Sequence, residues 1–226
     1  MISPKKKLLL LHSSNDLYGA SKIFLQLIDL LTKNGFDIHI IIPEKGMLDD
    51  FLIKKDIKIE YLELGVLRKK YLNPLGLINR AAANIKAIAF LSNYIKDHSI
   101  DLVYTNTSTI LCGGIAAKKN GIPSLFHIHE IPTGNKLYEF FSGKIINWYS
   151  SKVLTVSNSV KKHWLKYIDD KKIERIYNGI IFSKTDSLIK LERDQDDFVI
   201  TSVARLIPYK GHGYLIDVAN ELIKKS

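Results

Sequence analysis

The sequence predicts an α/β protein with a doubly wound parallel sheet, followed by the start of a second, incomplete α/β domain. Three observations carry that expectation. Short apolar runs recur along the first 180 residues, each separated from the next by a helical pattern. Connections of that length make right-handed crossovers, which put helices on both faces of a parallel sheet. After the polar stretch "FSKTDSLIKLERDQDD" (182–197) the strand-then-helix pattern begins again and runs only to residue 226.

"KLLLLH" (7–12) is the first strand, an apolar run of the fully buried kind. The loop "SSNDLYGA" leads into a helix with Ile23, Phe24, Leu27, Ile28 and Leu31 on one face and Lys22, Gln26, Asp29 and Lys33 opposite. "NG" at 34–35 stops it, and "FDIHIIIP" (36–43) is the second strand. A short helix in "GMLDDFLIKKD" precedes the third strand, "IKIEYLEL" (57–64). A long helix follows Pro74, with Leu77, Ile78, Ala81, Ala82, Ile85, Ile88 and Ala89 as its expected core stripe. "IDLVYTNT" (100–107), "IPSLFHIHE" (122–130), "KVLTVS" (152–157) and the weaker "KIERIYNG" (172–179) are strands four to seven. The helices "STILCGGIAAKKNG", "KLYEFFSGKIINWYSS" and "NSVKKHWLKY" join them. This is a Rossmann-like arrangement. Residues 1–181 form the first domain and 182–197 a linker. Residues 198–226 are one βα unit, with "FVITSVARL" (198–206) as an eighth strand before a helix over 214–225. A lone βα unit has no neighbouring strands with which to make a core, so this segment is expected to be the beginning of a truncated domain.

Composition narrows the function classes. The single cysteine, Cys112, cannot form an internal disulfide, which fits a reducing, cytoplasmic setting and excludes the usual Cys-based zinc patterns. The apolar run Leu8 to Leu11 is too short for a signal-peptide core, and no apolar segment approaches the length of a membrane span. The net charge is +10, and residues 195–226 carry four basic and four acidic residues, so the whole excess lies in residues 1–194. Such a balance suits nucleic acid, anionic lipid or a phosphorylated ligand. No helix-turn-helix, RRM or OB pattern is present, which weighs against nucleic acid. The stretch "GVLRKKYLNPLGLINR" sets Arg68, Lys69 and Lys70 beside Val66, Leu67, Tyr71 and Leu72, a mixture expected to face an anionic membrane surface.

Ligands of open α/β sheets sit outside the carboxyl ends of the strands, where several polar clusters fall. In "SSNDLYGAS" (13–21), Gly19 allows close backbone approach at a helix N-terminus; an ordinary βα loop is the competing reading. The stretch is not a G-x-G-x-x-G fingerprint. In "HIHE", period two sets His127 and His129 on one side of the strand, with Glu130 turning away. A metal pair there lacks a third ligand or a local motif. His129, at the carboxyl edge, is placed to hydrogen-bond a substrate hydroxyl or stabilise developing charge, and His127, one step deeper, to pack. Ser157 or Asn158 is expected to cap a helix. "YNGI" is a turn. Arg205 ends a strand while Lys210 and Gly211 precede a helix, and two cations at a helix N-terminus match a diphosphate.

Together these stretches resemble the family 4 retaining glycosyltransferases, whose GT-B fold sets two Rossmann-like domains face to face. "YGAS" is similar to that family's GGA-type loop, "HIHE" to its strand-end His-Glu/Asp element, and "VS" and "YNGI" to later signposts. "VARLIPYKG" is similar to its GRL…KG donor motif, with Ala204 in place of the usual glycine, and Ala20 follows a single glycine where the family often has two. The resemblance implies sugar transfer from a nucleotide diphosphate sugar to a glycan or lipid-linked sugar acceptor, without a metal or other cofactor, in surface polysaccharide synthesis. It makes residues 1–181 the acceptor-side domain, with Tyr18, Ser21 and Glu130 on the acceptor side. Gly19 would lie beneath the donor phosphates or acceptor, His129 near the reacting sugar, and Arg205 and Lys210 on the diphosphate. The family's E-x7-E element would lie downstream of residue 226. The chain is therefore expected to transfer little by itself; it reads as a truncated product or as one half of a split gene, and in the second case the remaining domain is a separate chain. A non-catalytic acceptor-binding remnant and a GT-B epimerase or phosphorylase relative are the competing readings.

Overall fold

A computed structural model describes residues 5–55, 57–68, 71, 73–132, 136–179, 199–207 and 210–225. The expected linker, 182–197, lies outside them. The chain divides into two units, Met1–Ile180 and Ile181–Ser226.

The first unit alternates strand and helix as the apolar runs predict. β1 (Lys7–Leu11), α1 (Gly19–Lys33), β2 (Asp37–Ile42), α2 (Asp49–Ile53) and β3 (Lys58–Tyr61) form its first half. α3 (Pro74–Asp97), β4 (Leu102–Thr105), α4 (Cys112–Lys119), β5 (Ser124–Ile128), α5 (Lys136–Tyr149), β6 (Lys152–Thr155), α6 (Asn158–Trp164) and β7 (Ile173–Arg175) complete it. The seven strands are all parallel, in the order β3-β2-β1-β4-β5-β6-β7. The order turns back on itself between β1 and β4, so the loops leaving these two neighbours diverge and open a crevice at their carboxyl ends.

Period two along β1 splits the core. Leu8 and Leu10 join Phe24 and Ile28 of α1, Leu48 just before α2 and Leu52 within it, while Leu9 and Leu11 join Ala87 and Leu91 of α3 and Ala116 and Ala117 of α4. A third cluster gathers Phe126, Ile146, Val153 and Trp164 under α5 and α6. α4 lies close on the sheet because it carries Gly113 and Gly114: a Cβ on Gly113 would strike Leu11, and one on Gly114 would come within 2.8 Å of the Phe126 ring.

Three sequence expectations fail, each for a physical reason. The stripe expected on α3 is largely exposed, and the helix instead buries Ala83, Ala87, Leu91, Ser92, Tyr94 and Ile95. A helix of 24 residues is about 36 Å long, roughly twice the reach of strands of four to six residues. Its first half therefore overhangs the sheet, and small residues mark where it touches. Asn73 caps it by accepting from Gly76 N–H at 2.9 Å, with Pro74 following.

The apolar residues that open the loop expected to meet lipid pack inward, while Arg68 is exposed. Val66 is buried, Leu67 packs against the third cluster, and Leu67 N–H donates to Thr109 O at 3.0 Å. Arg68 donates to Ser13 O at 3.0 Å and Tyr71 lies under the Arg80 guanidinium at 4.4 Å. Lys69, Lys70 and Leu72 lie outside the described residues.

The eighth strand does not form over residues 199–205, and α7 (His212–Lys225) buries none of its residues. A strand needs a neighbour to take its backbone hydrogen bonds, and this unit has none among the described residues; Val203 is 93% exposed.

Candidate functional site

The carboxyl ends of β1, β4 and β5 converge on one polar network. The register pairs Leu11 with Thr105 and Thr105 with Phe126. One step further along each strand, His12, Asn106 and His127 stand side by side on one face, with His129 beyond. Asn106 is the centre. Its Oδ1 accepts from His129 Nε2 at 2.9 Å and from Tyr104 OH at 3.1 Å, and its Nδ2 donates to His12 Nδ1 at 3.1 Å.

These contacts fix the protons. Because Asn106 Nδ2 is a donor, His12 Nδ1 is an acceptor and His12 Nε2–H donates to Ser21 Oγ at 3.0 Å. The Ser21 hydroxyl then donates to Asp16 Oδ1 at 2.9 Å. Tyr104 OH, having given its proton to Asn106, accepts from His127 Nδ1–H at 2.6 Å. His12 is therefore neutral, its one ring proton on Nε2. The His12 ring also stacks on Phe24, with centroids 4.7 Å apart.

Burial acts in the same direction. It lowers His12 to about 4 and His127 to about 3, and it depresses His129 against the pull of Glu130. Burial alone would raise the Asp16 carboxyl, but hydrogen bonds from Tyr18 N–H, Ser21 and Ser14 outweigh it and hold the pKa low.

A pH dependence follows. In the unfolded chain these histidines titrate near the ordinary value of about 6.5, so below that pH the unfolded state binds protons the folded state refuses. Above it neither state is charged and nothing is lost. Stability should fall by roughly 1.4 kcal/mol per pH unit for each of His12 and His127 as pH drops from about 6.5. Urea midpoints measured from pH 7.5 to 5 check this, and a flat profile would contradict the neutral network. The structural cause is direct: a proton on His12 Nδ1 would face the Asn106 Nδ2–H donor.

Beside the network lies a cavity of about 260 Å³ lined by Asp16, Tyr18, Ser21, Arg68, Asn106 and Glu130 among others. A second cavity, of about 180 Å³, shares Val66 and Arg68 with it. Glu130 is firmly held: Oε1 accepts from Thr107 Oγ1, Ser108 N–H and Ser108 Oγ at 3.0, 3.1 and 2.8 Å, and Oε2 from His129 N–H at 3.2 Å. The set mixes carboxylates, hydroxyls, an amide and one guanidinium, which suits the alternating donors and acceptors of a sugar better than a bare anion.

Tyr18, Ser21 and Glu130 thus share one cavity wall, and His129 stands behind it, tied in through Asn106. Gly19 opens α1, is exposed, and has open space where a Cβ would go, so nothing in the chain itself requires glycine there. His127 is buried, as the packing expectation had it, and Ser157 caps α6 by accepting from Val160 N–H at 3.2 Å. Arg205 and Lys210 belong to the second unit, where both are exposed and Arg205 O lies 2.9 Å from His212 Nε2. The sequence reading missed His12, Tyr104, Asn106 and Asp16. Among the described residues no group of three or more His, Cys, Asp or Glu is placed to hold a metal ion.

A seven-stranded parallel α/β unit with a polar crevice at the β1/β4 reversal is the class of domain found in GT-B glycosyltransferases. The profile of Glycosyltransferase Family 4 matches residues 18–184, and the chain belongs to that family. The match ends before Arg205 and Lys210. In sequence the chain is 27% identical to the Escherichia coli UDP-Gal:alpha-D-GlcNAc-diphosphoundecaprenol alpha-1,3-galactosyltransferase, covering 93% of this chain and 56% of that one. Among solved structures it resembles Anabaena Alr3699/HepE in complex with UDP-glucose, at a TM-score of 0.59 and 20% identity over 77% of this chain and 44% of that one. It also resembles a glycosyltransferase from Rickettsia africae, at a TM-score of 0.60 and 23% identity over 78% of this chain and 44% of that one. The chain spans little more than half the length of the curated relative.

Proposed function

We propose that this chain is the acceptor-side part of a retaining glycosyltransferase that moves a hexose from a uridine diphosphate sugar to a lipid-linked sugar, in surface polysaccharide assembly at the cytoplasmic face of a membrane. The observation that carries the reading is the Asp16–Ser21–His12–Asn106–His129 chain of bonds at the sheet reversal, in a member of this family. The Escherichia coli relative supports the donor and acceptor classes, since its name gives a UDP-galactose donor and a GlcNAc-diphosphoundecaprenol acceptor.

Each residue then has a role set by its chemistry. His129, neutral and with Nε2–H given to Asn106, offers Nδ1 as an acceptor for a sugar hydroxyl, a positioning contact and not a proton store. Tyr18, Ser21 and Glu130 line the wall against which the acceptor sugar lies. Gly19 leaves room for a ligand at the start of α1. In transfer, the bond from the anomeric carbon to the diphosphate oxygen breaks and its electrons leave with the diphosphate. The acceptor oxygen bonds to that carbon on the same face, and its proton passes to the departing oxygen. Arg205 and Lys210 would hold the charge that develops on the diphosphate. No metal or organic cofactor enters these steps.

Calorimetric titration with uridine diphosphate, made on the chain extended to the length of its Escherichia coli relative, tests the donor assignment. Arg205→Ala and Lys210→Ala should each weaken binding by about tenfold or more, the scale of losing a charge-assisted bond. Unchanged affinity in both variants would remove these residues from the phosphate grip.

A further inference from the structure

The cavity of about 180 Å³ has no part in the proposed function. It lies past the carboxyl ends of β2 and β3, whereas the histidine network stands past those of β1, β4 and β5. Val66 and Arg68 line it and the cavity of about 260 Å³ alike, and Arg68 fastens the two loops by donating to Ser13 O at 3.0 Å. Neither cavity alone reaches the roughly 300 Å³ at which small-molecule sites begin, and together they exceed it. α3 supplies the far wall. Its overhanging first half carries Arg80, which gives Nη2–H to Glu63 at 2.6 Å and lies over the Tyr71 ring at 4.4 Å. Two buried polar atoms are left over. Arg80 Nε–H has no partner among the described residues. Neither has Oδ1 of Asn84, one turn along, whose Nδ2 donates to Gly65 O at 3.0 Å and to Arg80 O at 2.9 Å. Native interiors seldom leave such atoms unpaired. A spare donor and a spare acceptor one turn apart suit a hydroxyl, which gives one bond and takes another.

We propose that this cavity is a second sugar subsite, so that the acceptor presents at least two sugars. The terminal sugar lies at the histidine network and the next one among Glu44, Glu63, Arg68 and Arg80. Charge decides between a sugar here and the diphosphate of a lipid-linked acceptor. Glu63 neutralises Arg80, and the Glu44 carboxylate offsets Arg68, so the described wall offers an anion no net positive charge. Carboxylates and guanidiniums together instead accept from and donate to the hydroxyls of a sugar ring. The overhang of α3 beyond the sheet thereby gains a use, since it is the part of the helix that carries Arg80. The proposal rests on the proposed function only for the sugar at the network.

The test is an NMR titration of the 226-residue chain with methyl N-acetylglucosaminide and with a panel of disaccharides ending in N-acetylglucosamine, spanning the common linkages in both anomers. At least one disaccharide should bind about tenfold or more tighter than the monosaccharide, the scale of one or two added hydrogen bonds. Glu63→Gln and Arg80→Lys should each remove that advantage and leave the monosaccharide affinity unchanged, which also reports that the variants are folded. No gain from any disaccharide, or a gain that both variants keep, would overturn the proposal. So would saturable binding of inorganic pyrophosphate that Glu44→Gln strengthens and that displaces the disaccharide, which would make the cavity an anion site. The His129 ring keeps the two readings apart. Monosaccharide binding that moves His129, with no gain from a second sugar, removes the subsite alone. A disaccharide gain that the variants abolish while His129 stays unmoved supports the subsite and removes the proposed function instead.

Discussion

In the enzyme extended to the length of its Escherichia coli relative, replacing His129 with alanine is expected to lower sugar transfer by about 10²-fold or more, the scale of one lost transition-state contact. The same change should cost only about 1 kcal/mol of stability. The asymmetry comes from its bonding. His129 is half-buried and gives one side-chain bond to Asn106 Oδ1, an atom that keeps Tyr104 OH as a donor when the imidazole is gone. Transfer from the nucleotide sugar and thermal unfolding, measured on the same preparations, separate the two effects. A large drop in Tm with activity per folded molecule unchanged would make His129 a packing residue.

Asn106→Ala should do the reverse first. It strands three partners at once: the buried Tyr104 hydroxyl and His12 Nδ1, and the half-buried His129 ring N–H. At about 1–3 kcal/mol for each unsatisfied group, a loss of at least about 3 kcal/mol is expected. Asn106→Asp gives a readout that mere packing would not. It sets a carboxylate oxygen where the amide donor faced His12 Nδ1, so a proton on that nitrogen becomes favourable. The His12 pKa, held at about 4 by burial, should rise toward the ordinary range. An NMR titration of the ring follows this, and an unmoved His12 would mean that Asn106 does not set its tautomer.

The fold was legible because β1, β2, β4 and β5 are buried on both faces, and such strands read as apolar runs whatever surrounds them. α3 was not. Its apolar residues are dense on several sides, and which side meets the sheet depends on how far the helix overruns the strands. The 199–206 segment carries strand residues, but β structure comes from pairing with a neighbour and not from propensity.

Half of the site was legible for a similar reason. His129 and Glu130 follow the apolar run of β5 directly, and Tyr18 and Ser21 sit in the loop after β1, so position along the chain exposes them. His12 and Asn106 are 94 residues apart and acquire meaning only through the register of β1 against β4. A signal was present. Both residues follow their strands by a single step, in "KLLLLH" and "LVYTN", and neighbouring parallel strands bring such positions together.

The most direct test of the central claim, that sugar is held at this network, is the imidazole ¹⁵N–¹H spectrum of the protein during titration with a GlcNAc-diphosphate lipid analogue. The His12 and His129 rings should begin as neutral Nε2–H tautomers and His127 as the Nδ1–H tautomer. On addition of the sugar, His129 and then His12 should shift, while His39 and His98, which contact one another beside α3, stay where they are. Shifts confined to His39 and His98, or a saturating titration that leaves His129 and His12 unmoved, would contradict it.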